Sequence, residues 1–276
     1  MKVTPFPIFL CLALLQSDIA SANDQTGVSE IKKIARQSSC AATDWKNRGL
    51  AKEAYYEGIA LVFAKAICNP ERTDVQLVAQ KRGAPGSKSD KTDALTWYDS
   101  IFRSLSMTND VSGNDTLRHA YTLLIGLGMR ESSGQYCVGR DRSANFSSAD
   151  SAEAGLFQTS WGAHAANETL SALNDHYSAD RSQCLLDVFS NGVHCSAWDA
   201  KIWGTGKGAD WQKLTKSCPA FATEYAAVLL RVRGGSKGEF GPLRRHQAEV
   251  KEVCDSMLSQ VEKYVETHPE TCSALD

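Results

Sequence analysis

After its first fifteen residues the chain has no apolar run approaching the roughly 20 residues that a membrane-spanning helix needs. It has no basic excess either: 30 Lys and Arg against 32 Asp and Glu leave a formal net charge of -2. That removes the electrostatic case for a nucleic-acid partner, which needs a basic face. There is no C-x-x-C pair, so a zinc ribbon or thioredoxin motif is not expected, and the six histidines are scattered with no H-E-x-x-H. No metal or cofactor is expected. The G-x-S-x-G elbow of serine hydrolases is missing. Gly204 to Gly208 fails as a phosphate loop, because Gly208 stands where the pattern needs Ser or Thr. Gly234-Gly235 follows no strand and opens no helix, so it is no dinucleotide fingerprint. Neither an alternating strand series nor an internal repeat is visible.

What is present begins with a leader. Lys2 precedes an apolar stretch from Phe6 to Leu15, and Ala20-Ser21-Ala22 fits the small-x-small cleavage rule. Residues 1–22 therefore read as a cleavable signal peptide, and the mature chain as periplasmic or secreted, with no stable membrane insertion. Nine cysteines are present, and Cys11 falls in the leader. The other eight are Cys40, Cys68, Cys137, Cys184, Cys195, Cys218, Cys254 and Cys272. An even set in an exported chain points to disulfides, each contributing about 2 to 4 kcal/mol. Eight cysteines permit on the order of a hundred pairings, and spacing does not select one. Asn114, Asn145 and Asn167 head glycosylation sequons, which matter only in a host that glycosylates.

The fold class expected is mainly α. Helical periodicity runs from Asp44 to Cys68, from Thr92 to Met107, from Thr116 to about Arg130, from Phe221 to Val232 and from Leu243 to His268. Lys81 to Lys91 is a polar loop, and a small β-hairpin has room between Gln135 and Ser148. A break near Met107 separates residues 23–110, an N-terminal helical layer of the same domain, from residues 111–276, which hold the candidate site and the C-terminal helices.

The third of these helices carries the main chemical signal. Asn114 or Asp115 is placed to cap it. Leu117, Ala120, Tyr121, Leu124, Leu127 and Gly128 follow at steps of three and four, and the same stripe continues to Glu131. A carboxyl carried inward by an apolar stripe is desolvated, and at a helix C-terminus it meets the negative end of the dipole. Both raise its pKa, which is what a general acid at neutral pH requires. The plainer alternative is a salt-bridged Glu131 facing solvent.

Arg130-Glu131-Ser132, followed by Ala154-Gly155-Leu156-Phe157-Gln158, resembles the motif pair of the lysozyme superfamily, in particular goose-type lysozymes and soluble lytic transglycosylases. The resemblance covers about residues 116–161, with looser agreement to about residue 250. It implies a lysozyme-like α+β fold, Glu131 as the catalytic acid, and a sugar cleft floored by the Gly-Leu-Phe-Gln turn, with Phe157 where the family has Met. It also implies substrate-binding roles for Ser132, Gly155, Phe157 and Gln158. Asp150, five residues before Gly155, resembles the family's second acid with an offset of one, although it also suits a turn. Asp141 is a weaker second acid. The family's further Asp falls on Ser160, so that role is lost.

An inverting hydrolase needs a second carboxylate roughly 6.5 to 9.5 Å from the acid, whereas the transglycosylases resembled here do without one. Tyr225 partly matches the tyrosine of the family's third motif and lacks the Asn that follows it; a core aromatic is the other reading. Cys137 is expected to pin the cleft loop through a disulfide. The basic segment from Arg231 to His246 departs from the family; it either meets acidic peptide stems or is a solvated loop. Tyr136, Phe146, Trp161, Trp198, Trp203 and Trp211 offer faces for sugar rings or for packing. The function expected is cleavage of β-1,4 bonds in peptidoglycan, with chitin as the rival substrate. A non-catalytic module of the same fold, binding glycan or protein, is the alternative.

Overall fold

The computed structural model describes residues 26–140 and 148–275. The leader, Asp141, Asn145, Phe146 and most of the span allotted to a hairpin lie outside the described residues. Among the described residues seven helices exceed ten residues: α1 (26–37), α2 (Glu53–Cys68), α3 (Asn114–Ser132), α4 (Glu168–Ala179), α5 (Lys207–Ser217), α6 (Pro219–Arg233) and α7 (Glu252–Thr267). The chain is mainly helical, and no strand forms among those residues. Bridge pairing is confined to Trp45 with Gly49 and Ala154 with Thr159. No helix among them is long and apolar enough to cross a membrane.

Helix α2 is apolar on every side, and all its residues from Ala54 to Ala66 are buried. Such a helix belongs inside a core rather than on a surface. It packs against α3, α6 and α7, so the stretch before Met107 supplies the centre of the molecule. The helix starts at Glu53, not at Asp44 as its periodicity suggested. Residues 45–49 close a tight turn, with Asn47 at φ 60° and Gly49 at φ 69°, and left-handed residues cannot continue a helix. Leu50, inside the range read as helix, is consequently 64% exposed.

Helix α3 buries the expected stripe and also its other side, including His119, Leu123, Ile125 and Met129. The expected side-chain cap does not form. Gly113 precedes the helix, and Asp115 pairs with Arg118 at 2.7 Å instead. Arg118 also reaches Asp255 at 3.0 Å and Glu262 at 2.6 Å, fastening α3 to α7. Gly126 lets the chain at Glu249 approach closely, since a Cβ there would lie 1.9 Å from the Glu249 carbonyl oxygen.

Two other expected helices are shorter than read. Residues 92–107 form two short pieces, Ala94–Trp97 and Asp99–Ser104. Leu243 belongs to a separate turn of helix, Gly241–Arg244, before α7 begins.

Four disulfides settle the pairing. Cys40–Cys254 and Cys68–Cys272 join the N-terminal part to the C-terminal one, while Cys137–Cys195 and Cys184–Cys218 brace the segments between α3 and α6. Inside the core a compact charge cluster links three segments. Glu224 of α6 receives Arg72 at 2.6 Å and Lys65 of α2 at 3.5 Å, and Arg72 also holds Asp74 at 2.8 Å. Burial pushes the Glu224 carboxyl up, but Arg72 and Lys65 outweigh it and hold the group below its ordinary value. Removing one partner of a buried cluster strands the others. Glu224→Gln is therefore expected to lower unfolding free energy by about 3 to 5 kcal/mol, read from denaturant melts with disulfides intact.

Candidate active site

Helix α3 ends one residue after Glu131, and the small residues that follow explain how. Ser133 and Gly134 both take left-handed conformations, at φ 54° and 72°. The Ser133 N–H donates to Met129 O at 3.1 Å, and the Gly134 N–H to Gly128 O at 3.2 Å. This closes the last turn and turns the chain away sharply. Glu131 is left half-buried in that turn, less enclosed than Leu124 and Leu127 on the same stripe, because the covering chain departs there.

The segment 154–159 forms the facing turn. Ala154 N–H donates to Thr159 O at 3.0 Å, and Gly155, at φ 80°, donates to Val138 O at 2.8 Å. Gln158 sits at φ 48°, a region that costs a non-glycine residue about 1 to 3 kcal/mol. Its own side chain offsets that cost, since Nε2 donates to Gly155 O at 3.0 Å and Val138 O at 3.4 Å. Among the described residues no donor reaches its Oε1.

Glu131 and Gln158 line one open cleft of about 640 Å³. Trp198 supplies an aromatic face, and Glu153, Asp199 and Glu239 supply further carboxylates. Arg48, Arg130, Arg140, Arg244 and Arg245 complete the charged wall. At one end Arg140 lies 4.0 Å from the ring of Trp203, which is 45% exposed. A separate cavity of about 400 Å³, beside Lys65, Arg72 and His176, contains none of the residues expected at the site.

Several expected site residues stand elsewhere. Asp150 is exposed, and its Oδ1 accepts the Gly208 N–H at 3.0 Å, capping the first turn of α5 instead of facing the cleft. Phe157 is fully buried, packed beneath α3 beside Gly128. Ser132 is buried and bonds back to Gly128 O at 3.0 Å. Gly155 is pressed against Thr215, where a Cβ would come within 3.0 Å. Tyr225 is fully buried between Trp211 and Phe221, with its hydroxyl unpartnered. These five hold the site's frame. Trp211 is core as well, and Trp161 stacks on His164.

The residues that sequence reasoning passed over as acids of this cleft are Glu153, Asp199 and Glu239. Asp199 is brought in by the chain crossing behind the Cys137–Cys195 bridge. Its carboxylate accepts the Gly139 N–H at 3.0 Å and the Ser196 hydroxyl at 2.6 Å. Burial pushes its pKa up, but those bonds and the Ser196 N–H outweigh burial and hold it below the ordinary value, so it is ionised at neutral pH. No signal short of the tertiary fold marks it, because it lies 68 positions beyond Glu131.

No protein-family model, curated protein or solved structure matches this chain.

The Cys137–Cys195 bridge joins positions 58 apart beside the cleft. Replacing both cysteines with serine is expected to remove roughly 4 kcal/mol of stability by the chain-entropy model. Thermal melts read that loss. The segment carrying Trp198 and Asp199 is expected to loosen with it, because it loses its anchor, and hydrogen exchange over that segment reads the second effect.

Proposed function

We propose that the chain is an exported glycosidase of lysozyme type, cleaving β-1,4 bonds of peptidoglycan with Glu131 as general acid and base. One observation carries this reading: Glu131, at the end of a buried helix, shares a single open cleft with Gln158 and Trp198. A cleft with an acid, an amide acceptor and an aromatic face suits a polar ring chain. Four disulfides suit an oxidising compartment, which supports export. The finer α+β lysozyme-like fold belongs to the same proposal.

In the first half of the reaction the Glu131 carboxyl gives its proton to the glycosidic oxygen as the C1–O bond breaks. In the second half the carboxylate takes a proton back. Water supplies that proton in hydrolysis, and its oxygen bonds to C1. The C6 hydroxyl of the same sugar supplies it in transglycosylation, closing a 1,6-anhydro ring without added water. Asp199 is ionised and lines the cleft, so it is the group to steer water in the hydrolytic route. Asp150 takes no part, being committed to α5.

The pH profile of cleavage checks the acid role: a rate that falls as pH rises marks loss of the acid form. Glu131→Gln is expected to lower kcat by about 10²- to 10⁴-fold while glycan binding persists, measured on purified peptidoglycan. Unchanged cleavage by that variant removes the proposal. Mass spectrometry of the wild-type digest separates the routes, with anhydromuramic ends for transglycosylation and reducing ends for hydrolysis.

A further inference from the structure

The cleft wall holds more guanidinium than carboxylate. Five arginines face four acids there, although the whole chain carries a net charge of -2. Among the described residues no carboxylate lies within ion-pair distance of Arg48, Arg130, Arg244 or Arg245. Neutral oxygens hold these four instead. Arg48 donates to the Arg130 carbonyl, and Arg130 Nη1 donates to Lys46 O at 3.1 Å. Arg244 Nη1 donates to Gly238 O at 2.6 Å and Glu239 O at 2.7 Å, and Arg245 Nε donates to Gln247 Oε1 at 3.0 Å. Among the described residues the buried Nε of Arg130 has no hydrogen-bond partner, and the Arg130 charge acts at longer range on Glu249, helping to hold that carboxyl below its ordinary value.

A carbonyl fixes a guanidinium without neutralising it. Each guanidinium carries five N–H donors in a fixed fork, and the bonds above use one or two of them. What remains is a positioned set of donors shaped for carboxylate, the anion that arginine binds in bidentate fashion. Two acids of the cleft have partners of their own. Asp199 is occupied by Gly139 and Ser196, and Glu239 faces Arg233 at 3.5 Å.

Resting on the glycosidase reading of this cleft, we propose that Arg244 and Arg245, with Arg48 and Arg130 of the same cleft, bind carboxylates carried on peptide stems of the glycan. The wall thereby selects stem-bearing strands over uncharged β-1,4 amino-sugar chains. Arg244 and Arg245 come from the loop after α6, the segment that departs from the lysozyme-type pattern, so the selectivity belongs to this chain's own architecture.

The experiment uses the full mature chain carrying Glu131→Gln, so that ligand persists. Titration calorimetry compares three probes of equal sugar length: strands with peptide stems, the same strands stripped by an amidase, and chito-oligosaccharide. Stem-bearing strands are expected to bind about tenfold tighter than either of the others, with the preference shrinking as salt rises. Adding Arg244→Ala and Arg245→Ala is expected to bring the three affinities to within about twofold of one another. The double Arg→Lys variant is expected to recover part of the preference, because charge returns without the fork. Equal binding of the three probes by the parent variant overturns the selectivity while leaving the glycosidase reading standing. So does an equal loss for all three in the alanine variant, which marks a merely structural role. Wild-type chain that neither binds nor cleaves any probe overturns both.

Discussion

The Val138 carbonyl joins the two halves of the cleft, accepting the Gly155 N–H at 2.8 Å. Val138 lies just beyond the end of α3, and Gly155 opens the turn that carries Gln158. The same carbonyl also receives Gln158 Nε2, so a single backbone oxygen sets the spacing between the two motifs. Phe157 completes the clamp from below, lying against α3 where Gly128 leaves room. Any side chain at position 128 would meet the Tyr55 hydroxyl at 2.3 Å. The glycine there and the aromatic at 157 are therefore one packing solution, and it sets Glu131 and Gln158 along the same cleft.

Rigidity around this clamp comes from burial on every side. Helices α2, α3 and α6 lie wholly or almost wholly inside, and two disulfides tie the N-terminal part to the C-terminal one. Tyr55 of α2 donates to Ile125 O at 2.7 Å, adding a polar tie between two buried helices. The buried cluster of Glu224, Lys65 and Arg72 serves the same frame, since charges in a core tolerate only one arrangement of their partners.

Much of this was legible along the chain. The stripe from Leu117 to Gly128 located α3, and the even set of cysteines announced disulfides. Helix α4 left a signal that was passed over: Leu170, Leu173 and Tyr177 at steps of three and four, behind the capping Asn167. The extent of burial was not legible. Periodicity marks the greasier face of a helix, and α3 is covered on its polar face as well, by α7 and the segment around Glu249. The start of α2 was misplaced because apolar spacing says nothing of φ, and the left-handed Asn47 and Gly49 decide it. Asp150 looked catalytic by its distance from Gly155, yet spacing in a loop does not set direction, and its carboxylate turned to α5.

The sequence alone determined that the molecule is helical and disulfide-braced, and that Glu131 ends a helix bound for the core. Those properties are local, resting on side-chain period, on cysteine count and on residues three or four apart. The tertiary structure decided which acids share a cleft with Glu131, which cysteines pair and which arginines line that cleft. Asp199 and Arg244 reach that cleft from segments tens of residues away. Their neighbourhood follows from how helices close-pack in three dimensions, and a one-dimensional pattern holds no record of that.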